Sequence, residues 1–300
     1  MNNFHTPVLL KEVIEYLEVQ RGKKYIDATM GGGGHAVEIL ERGGRVLGID
    51  CDQEAIDYAG EKLKVKSSKL KVNKDLVLAK GNFRDIDKIA RLNGFEKVSG
   101  ILFDLGVSSY QLETSERGFS FQKEGPLDMR MDKDLGVRAA DLINALSKKE
   151  LYELFTKMGE ERFARPISNN IIRARRVKKI ETTRELASII EKIGGATSAF
   201  AKASADKRVF QALRIAVNDE LNNLQEALPK AINLLGDKGR IAVISFHSLE
   251  DRIVKDSFKR FQKQGKGTIL TKKPVIAGNS EVQSNIRARS AKLRVFSARG

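Results

Sequence analysis

The sequence predicts an α/β protein: a parallel sheet with helices packed on it, interrupted by an inserted helical subdomain. Three observations predict this. Short apolar strands alternate with helical segments as far as Asp104. Three of those strands end at or beside an acid: Asp27, Asp50 and Asp104. From Ala139 to about Ala205 only helical periodicity is present, and the strand rhythm resumes afterwards. A helical stretch of that length exceeds an ordinary crossover.

The elements follow in order. Tyr25–Thr29 reads as a strand, Ala36–Arg42 as a helix and Val46–Asp50 as a second strand. Gln53–Leu63 reads as a helix with Asp52 as its N-cap. Leu76–Ala79 is a short strand, Asp85–Leu92 a helix and Ile101–Asp104 a fourth strand. Residues 114–138 are loop-like, with Gly118, Gly125, Pro126 and Gly136. A long helix is expected over Val209–Leu235, then a buried strand over Arg240–Ser245 and a helix over Leu249–Phe261 capped by Ser248. Leu293–Ser297 reads as a last strand. The expected division is a sheet domain of residues 1–113 and 208–300, with residues 114–207 forming a helical substrate-recognition domain.

Between the first two strands lies Asp27-Ala-Thr-Met-Gly-Gly-Gly-Gly-His35. Glycines at such a turn let backbone approach a ligand, and an acid ending the next strand, here Asp50, suits ribose hydroxyls. Gly31, Gly33 and Ala36 fit a loose dinucleotide pattern, but Asp27 argues against a pyrophosphate, which a carboxylate would repel. The same acid suits the cationic methionine portion of S-adenosylmethionine; as the bland alternative, Asp27 is a cap or turn residue. Phe83 either lies against an adenine ring or packs in the core. Asp104 points to where cofactor and substrate meet, or serves the turn that follows it.

Charge and composition narrow the partners. The net charge is +15, and two segments hold the excess. Residues 162–214 carry 13 Lys/Arg against 4 Asp/Glu, and residues 251–300 carry 13 against 3. Such clustering, rich in arginine (Arg173, Arg175, Arg176, Arg287, Arg289), predicts a nucleic-acid face rather than a merely solvated surface. Cys51 is the single cysteine, so disulfide scaffolds and cysteine zinc sites are excluded. The three histidines, His5, His35 and His247, are too scattered for a metal site. With no signal-like start and no apolar run of roughly 20 residues, a cytoplasmic protein free of membrane is expected.

Read together, these stretches resemble the bacterial 16S rRNA (cytosine-N4)-methyltransferase family, called MraW or RsmH. The likeness rests on His5–Leu10, Asp27–His35, Gly48-Ile-Asp50, Asp104–Ser109 with Gln111-Leu112, Glu116–Phe121 and Gly125–Asp132. It continues through Gly159–Ala164, Phe210–Ile215, Ser245–Arg252 and Arg287–Arg294. The resemblance implies a Rossmann-like, class I S-adenosylmethionine-dependent methyltransferase. It implies N4 methylation of a decoding-centre cytidine in 16S rRNA, within the small ribosomal subunit or its precursor, and it allows a homodimer. It carries cofactor contacts onto Gly33, Gly34, His35, Asp50, Phe83, Asp104 and Gln111.

Methyl transfer from a sulfonium is an in-line displacement, so positioning and water exclusion are the main tasks. Asp104 is the candidate proton acceptor, or else it positions cofactor. His247 either touches substrate or builds its turn, and His5 would shape the same cleft. Cys51 lies outside any Pro-Cys motif, so covalent attack at cytosine carbon 5 is not expected. The Gly125–Asp132 loop is a lid or substrate loop, or a linker. The rival readings are a DNA or small-molecule methyltransferase, a non-catalytic ribosome-assembly binder and a dehydrogenase.

Overall fold

A computed structural model describes residues 7–66, 75–192 and 199–300. The strands are β1 (Lys24–Asp27), β2 (Arg45–Asp50), β3 (Leu76–Lys80), β4 (Val98–Asp104), β5 (Leu235–Ser245), β6 (Gly267–Ile269) and β7 (Lys292–Ala298). The helices are α1 (Leu10–Leu17), α2 (Gly34–Glu41), α3 (Gln53–Lys66), α4 (Ile86–Leu92), α5 (Ser109–Glu113), α6 (Ala139–Ala145) and α7 (Lys148–Lys157). They continue with α8 (Ala164–Val177), α9 (Thr183–Glu191), α10 (Ala199–Asn218), α11 (Glu220–Leu234), α12 (Ser248–Lys263) and α13 (Asn279–Ser284).

The strands form one sheet in the order β3-β2-β1-β4-β5-β7-β6. β1 to β5 are parallel, whereas β7 runs antiparallel between β5 and β6. This is a Rossmann-like sheet whose strand order reverses between β1 and β4. Ligands bind at the carboxyl ends beside such a reversal. Both faces are covered, so the strands read as nearly unbroken apolar runs. Ile26, Leu47, Phe103 and Val243 pack with α4, α11 and α12, while Tyr25, Val46, Leu102 and Ile244 pack with α1, α2 and α3.

The contacts divide the chain into two compact units, residues 1–108 with 221–300, and residues 109–220. The helical unit is therefore larger than the expected 114–207. α10 belongs to it because its side chains bind there: Gln211 Nε2 donates to Met158 O at 3.3 Å and Asn218 Nδ2 to Met129 O at 2.8 Å. The long helix expected over Val209–Leu235 is two helices. Asp219 adopts φ 51°, a left-handed conformation that turns the chain between α10 and α11. β5 starts at Leu235, earlier than expected, and Gly236 and Gly239 lie inside it.

Within the helical unit, α7 and α9 open on capping boxes, Ser147 with Glu150 and Thr182 with Glu185. The 125–132 loop is pinned rather than loose. Arg117 donates to the carbonyls of Arg130 (3.0 Å) and Met131 (2.9 Å), and Asn218 Oδ1 accepts from Met131 N at 2.7 Å. A Cβ on Gly118 would stand 2.1 Å from Pro126 O, so this loop requires glycine there.

Candidate functional site

The site starts from three strand ends. Asp27 closes β1, Asp50 closes β2 and Asp104 closes β4. Parallel registry places Asp27 opposite Gly48 and Leu102, so the acids gather at the carboxyl ends of three neighbouring strands. Gly48 leaves room there: a Cβ would approach Met30 Sδ to 2.6 Å and the buried methionine would have to shift.

The turn between β1 and α2 is held by those acids. Gly31 N donates to Asp50 Oδ2 at 2.7 Å, and Asp52 N donates to Asp50 Oδ1 at 2.9 Å. Thr29 links the neighbouring strand ends, since Thr29 N donates to Asp27 Oδ1 at 3.2 Å and Asp104 N donates to Thr29 Oγ1 at 2.6 Å. Thr29 did not stand out in the sequence. The signal was available: a hydroxyl two residues past a strand-end acid is a common turn closer.

Gly33 caps α2 with φ 72°, and a Cβ on Gly34 would lie 3.0 Å from the Pro7 ring. Both glycines are thus required by the turn and its packing. At Gly31 the φ of 47° favours glycine rather than packing does, since an added Cβ would meet only Thr29 O, at 3.9 Å. His35 is buried in the first turn of α2. Its Nε2 lies 3.0 Å from Val8 O, so that nitrogen carries the proton and donates, and Nδ1 lies 3.7 Å from Asp104 Oδ2. Phe83 is half-buried and meets Phe103 edge-on at 5.7 Å, part of the core with one side remaining.

The acids feel their surroundings strongly. Burial pushes Asp27 up to about 7, partly offset by the Thr29 N–H and reinforced by the charges of Asp104 and Asp50. Burial likewise raises Asp50 to about 6, against the backbone N–H donors of Asp52 and Gly31. Crowded carboxylates of this kind favour a cation. A sulfonium or ammonium group beside them fits. The residues present therefore suit S-adenosylmethionine.

His247 is the N-cap of α12, the place expected for Ser248. Glu250 occupies its ring: Glu250 N donates to Nδ1 at 3.4 Å, and Nε2 lies 3.2 Å from Glu250 Oε1. Glu250 Oε2 also accepts from Phe246 N at 2.8 Å. Of the two readings of His247, the structure favours turn building. The buried Glu250 was legible three residues on as a capping-box acid. Gln111 is buried on α5, which belongs to the helical unit. His5 lies outside the described residues.

The arginines divide. Arg173 and Arg176 are exposed on α8, and Arg289 is exposed in the 3-10 helix Ile286–Ser290. Arg175 instead donates to Ile143 O at 2.6 Å, and Arg287 to Val107 O at 2.5 Å. Both residues expected as RNA contacts, Arg175 and Arg287, thus also fasten the fold, and both stay half-buried. Cationic side chains near buried carbonyls serve as internal donors, a use that charge counting misses. Among the described residues no helix is long and apolar enough to cross a membrane.

Comparison with known proteins locates the chain. Residues 2–299 match the model of the MraW methylase family. The Ribosomal RNA small subunit methyltransferase H of Carboxydothermus hydrogenoformans is 44% identical, the alignment covering 97% of this chain and 96% of that one. Its namesake in a Sulfurihydrogenibium strain is 45% identical, with 97% and 98% covered. A solved rRNA methylase structure from Streptococcus thermophilus aligns over 96% of this chain and 95% of its own, with 12% identity and a TM-score of 0.46, too slight a likeness to bear on function. Full-length agreement with the family model and with these relatives leaves one assignment: the chain belongs to the MraW methylase family and is an S-adenosylmethionine-dependent methyltransferase.

Proposed function

We propose that this chain methylates the exocyclic N4 of a cytidine in the decoding centre of small-subunit rRNA. The observation that carries the reading is 44–45% identity over 97% of the chain to relatives named Ribosomal RNA small subunit methyltransferase H. The excess positive charge in residues 162–214 and 251–300 supports an RNA substrate.

S-adenosylmethionine, when bound, would supply an electrophilic methyl group whose sulfur leaves as a neutral thioether. Asp27 and Asp50 would face its cationic arm and ribose, with Gly33, Gly34, His35 and Phe83 shaping the cradle. Asp104 sits at the strand end beside them. The cytosine amine is a poor nucleophile because its lone pair is conjugated with the ring. A carboxylate accepting an N–H would aim that lone pair and then take the proton, and Asp104 fills this role. His35 Nδ1 stands 3.7 Å from its Oδ2, beyond hydrogen-bond distance. The target base is splayed from its stack to reach the donor. Arg173, Arg176 and Arg289 contact RNA phosphates. The substrate is 16S rRNA in a small subunit or its precursor.

The test is transfer of tritiated methyl to small subunits lacking the modification, followed by mass mapping of the nucleosides. N4-methylcytidine at one decoding-centre position is expected. Label on another base, or none, would overturn the reading. Heat from S-adenosylmethionine binding without transfer would point to the assembly binder instead.

A further inference from the structure

Arg287 belongs to a basic C-terminal segment that reads as an RNA contact, yet its geometry is internal. Its guanidinium carbon lies 5.7 Å from the centroid of the Phe246 ring, and its Nη2 donates to Val107 O at 2.5 Å. Phe246 is also what Gly106 packs against: a Cβ on Gly106 would lie 3.4 Å from Phe246 Cδ2, and Gly106 has φ 96°. One side chain thus joins two loops. The first follows Asp104 at the end of β4. The second follows Ser245 at the end of β5 and carries Phe246 and His247 into α12.

The rest of the segment is anchored to hold it. Asn285 Oδ1 accepts from Arg287 N at 3.3 Å, and Ala288 and Ala291 are buried in the core. On α13, Glu281 Oε1 accepts from Leu9 N at 2.7 Å, one residue from the Val8 carbonyl that His35 binds. The C-terminal segment therefore braces both the Asp104 loop and the backbone behind His35.

We infer that Arg287 is a positioning residue for methyl transfer: by clamping Val107 against Phe246 it sets the Asp104 loop, rather than contacting RNA phosphate. The inference rests on the reading of Asp104 as the group that orients the acceptor amine. A planar guanidinium donates in its plane while stacking by its face, and an ammonium does only the first. Arg287→Lys should therefore restore part of what Arg287→Ala loses.

The experiment uses the full chain with undermethylated small subunits, comparing Arg287→Ala, Arg287→Lys and Arg289→Ala. For Arg287→Ala, kcat should fall on the order of tenfold or more, KM for subunits should stay within about twofold, and its salt dependence should not change. Arg287→Lys should recover part of kcat. Arg289→Ala should instead raise KM and flatten the salt dependence by about one counterion. Hydrogen exchange on the free protein provides a second readout. Arg287→Ala should speed exchange at the amides of residues 105–108 and the start of α12, with the β1 and β2 amides unchanged. A raised KM with a flattened salt slope and unaltered exchange would make Arg287 a phosphate contact and overturn the inference. Were the wild type to transfer no methyl to subunits, the functional reading would fail, and exchange alone would decide the clamp.

Discussion

The strand-end acids and the arginine-rich helix α8 differ in sign, exposure and origin. Asp27, Asp50 and Asp104 are scattered in sequence and gathered by parallel strand pairing. Burial makes Asp27 and Asp50 costly to ionise, and the charges of Asp104 and Asp50 add to the cost at Asp27. The arginines of α8 are adjacent in sequence, yet the helix parts them: Arg173 and Arg176 are exposed while Arg175 turns in to the Ile143 carbonyl. Sheet topology thus concentrates distant residues, and helical geometry separates near ones. A cluster of like residues in sequence is weak evidence for a cluster in function.

The largest expected effect tests the acid side. Asp104→Asn keeps the shape and removes the acceptor charge, and should lower the single-turnover methyl-transfer rate about a hundredfold or more. An unchanged rate would leave Asp104 with cofactor positioning only. On the arginine side, reversing charge at Arg173 and Arg176 together should weaken subunit binding by about tenfold or more at moderate salt while calorimetric cofactor affinity stays put. Equal loss for both ligands would erase the contrast between the two regions.

The acids also set a pH dependence. An acid raised from 3.8 to about 7 holds more protons folded than unfolded between those values, so Asp27 lowers stability as pH climbs through that window. A bound cation favours the ionised acid, so cofactor affinity should move the other way. It should rise by up to about tenfold between pH 6 and pH 8, with proton release. Asp27→Asn should flatten that profile and stabilise the free protein at pH 8. A flat wild-type profile would detach Asp27 from the cationic arm.

A smaller effect separates the two kinds of arginine. Arg175→Ala should cost about 1–2 kcal/mol of stability, read by denaturant unfolding, because Ile143 O loses a charged donor. Its effect on RNA affinity should be slight. Cys51→Ser should change neither transfer nor cofactor binding. Abolished transfer with cofactor binding intact would reopen covalent catalysis.

Much of the fold was legible because periodicity and strand-end acids are local signals. The β1 to β4 alternation and the acids ending β1, β2 and β4 could be read from runs such as Val46–Asp50 and Ile101–Asp104. The helix break at Asp219 was not legible. Helical spacing runs on either side of it, and the contacts at the turn, Asn218 with Met129 and Met131 and Arg214 with Glu220, are tertiary. Nor was β6, a three-residue edge strand in a polar, basic stretch, which exists by pairing with β7. In the site, the glycine turn was plain and Glu250 could be read as a capping-box acid, whereas the bond that Thr29 Oγ1 accepts from Asp104 N, 75 residues on, is set by the fold.

By itself the sequence determined the α/β rhythm, the glycine turn, the acids and the positive excess, since each depends on residue type and short spacing. The full-length family motifs are sequence properties too. Tertiary structure decided which acids meet, which glycines are held by packing and which arginines face solvent. The physical reason is that hydrogen-bond geometry and burial belong to pairs of residues brought together from far apart. Val107 and Arg287 are a case in point: nothing in either stretch announces the other, and the bond between them exists only once β4, β5 and β7 lie side by side.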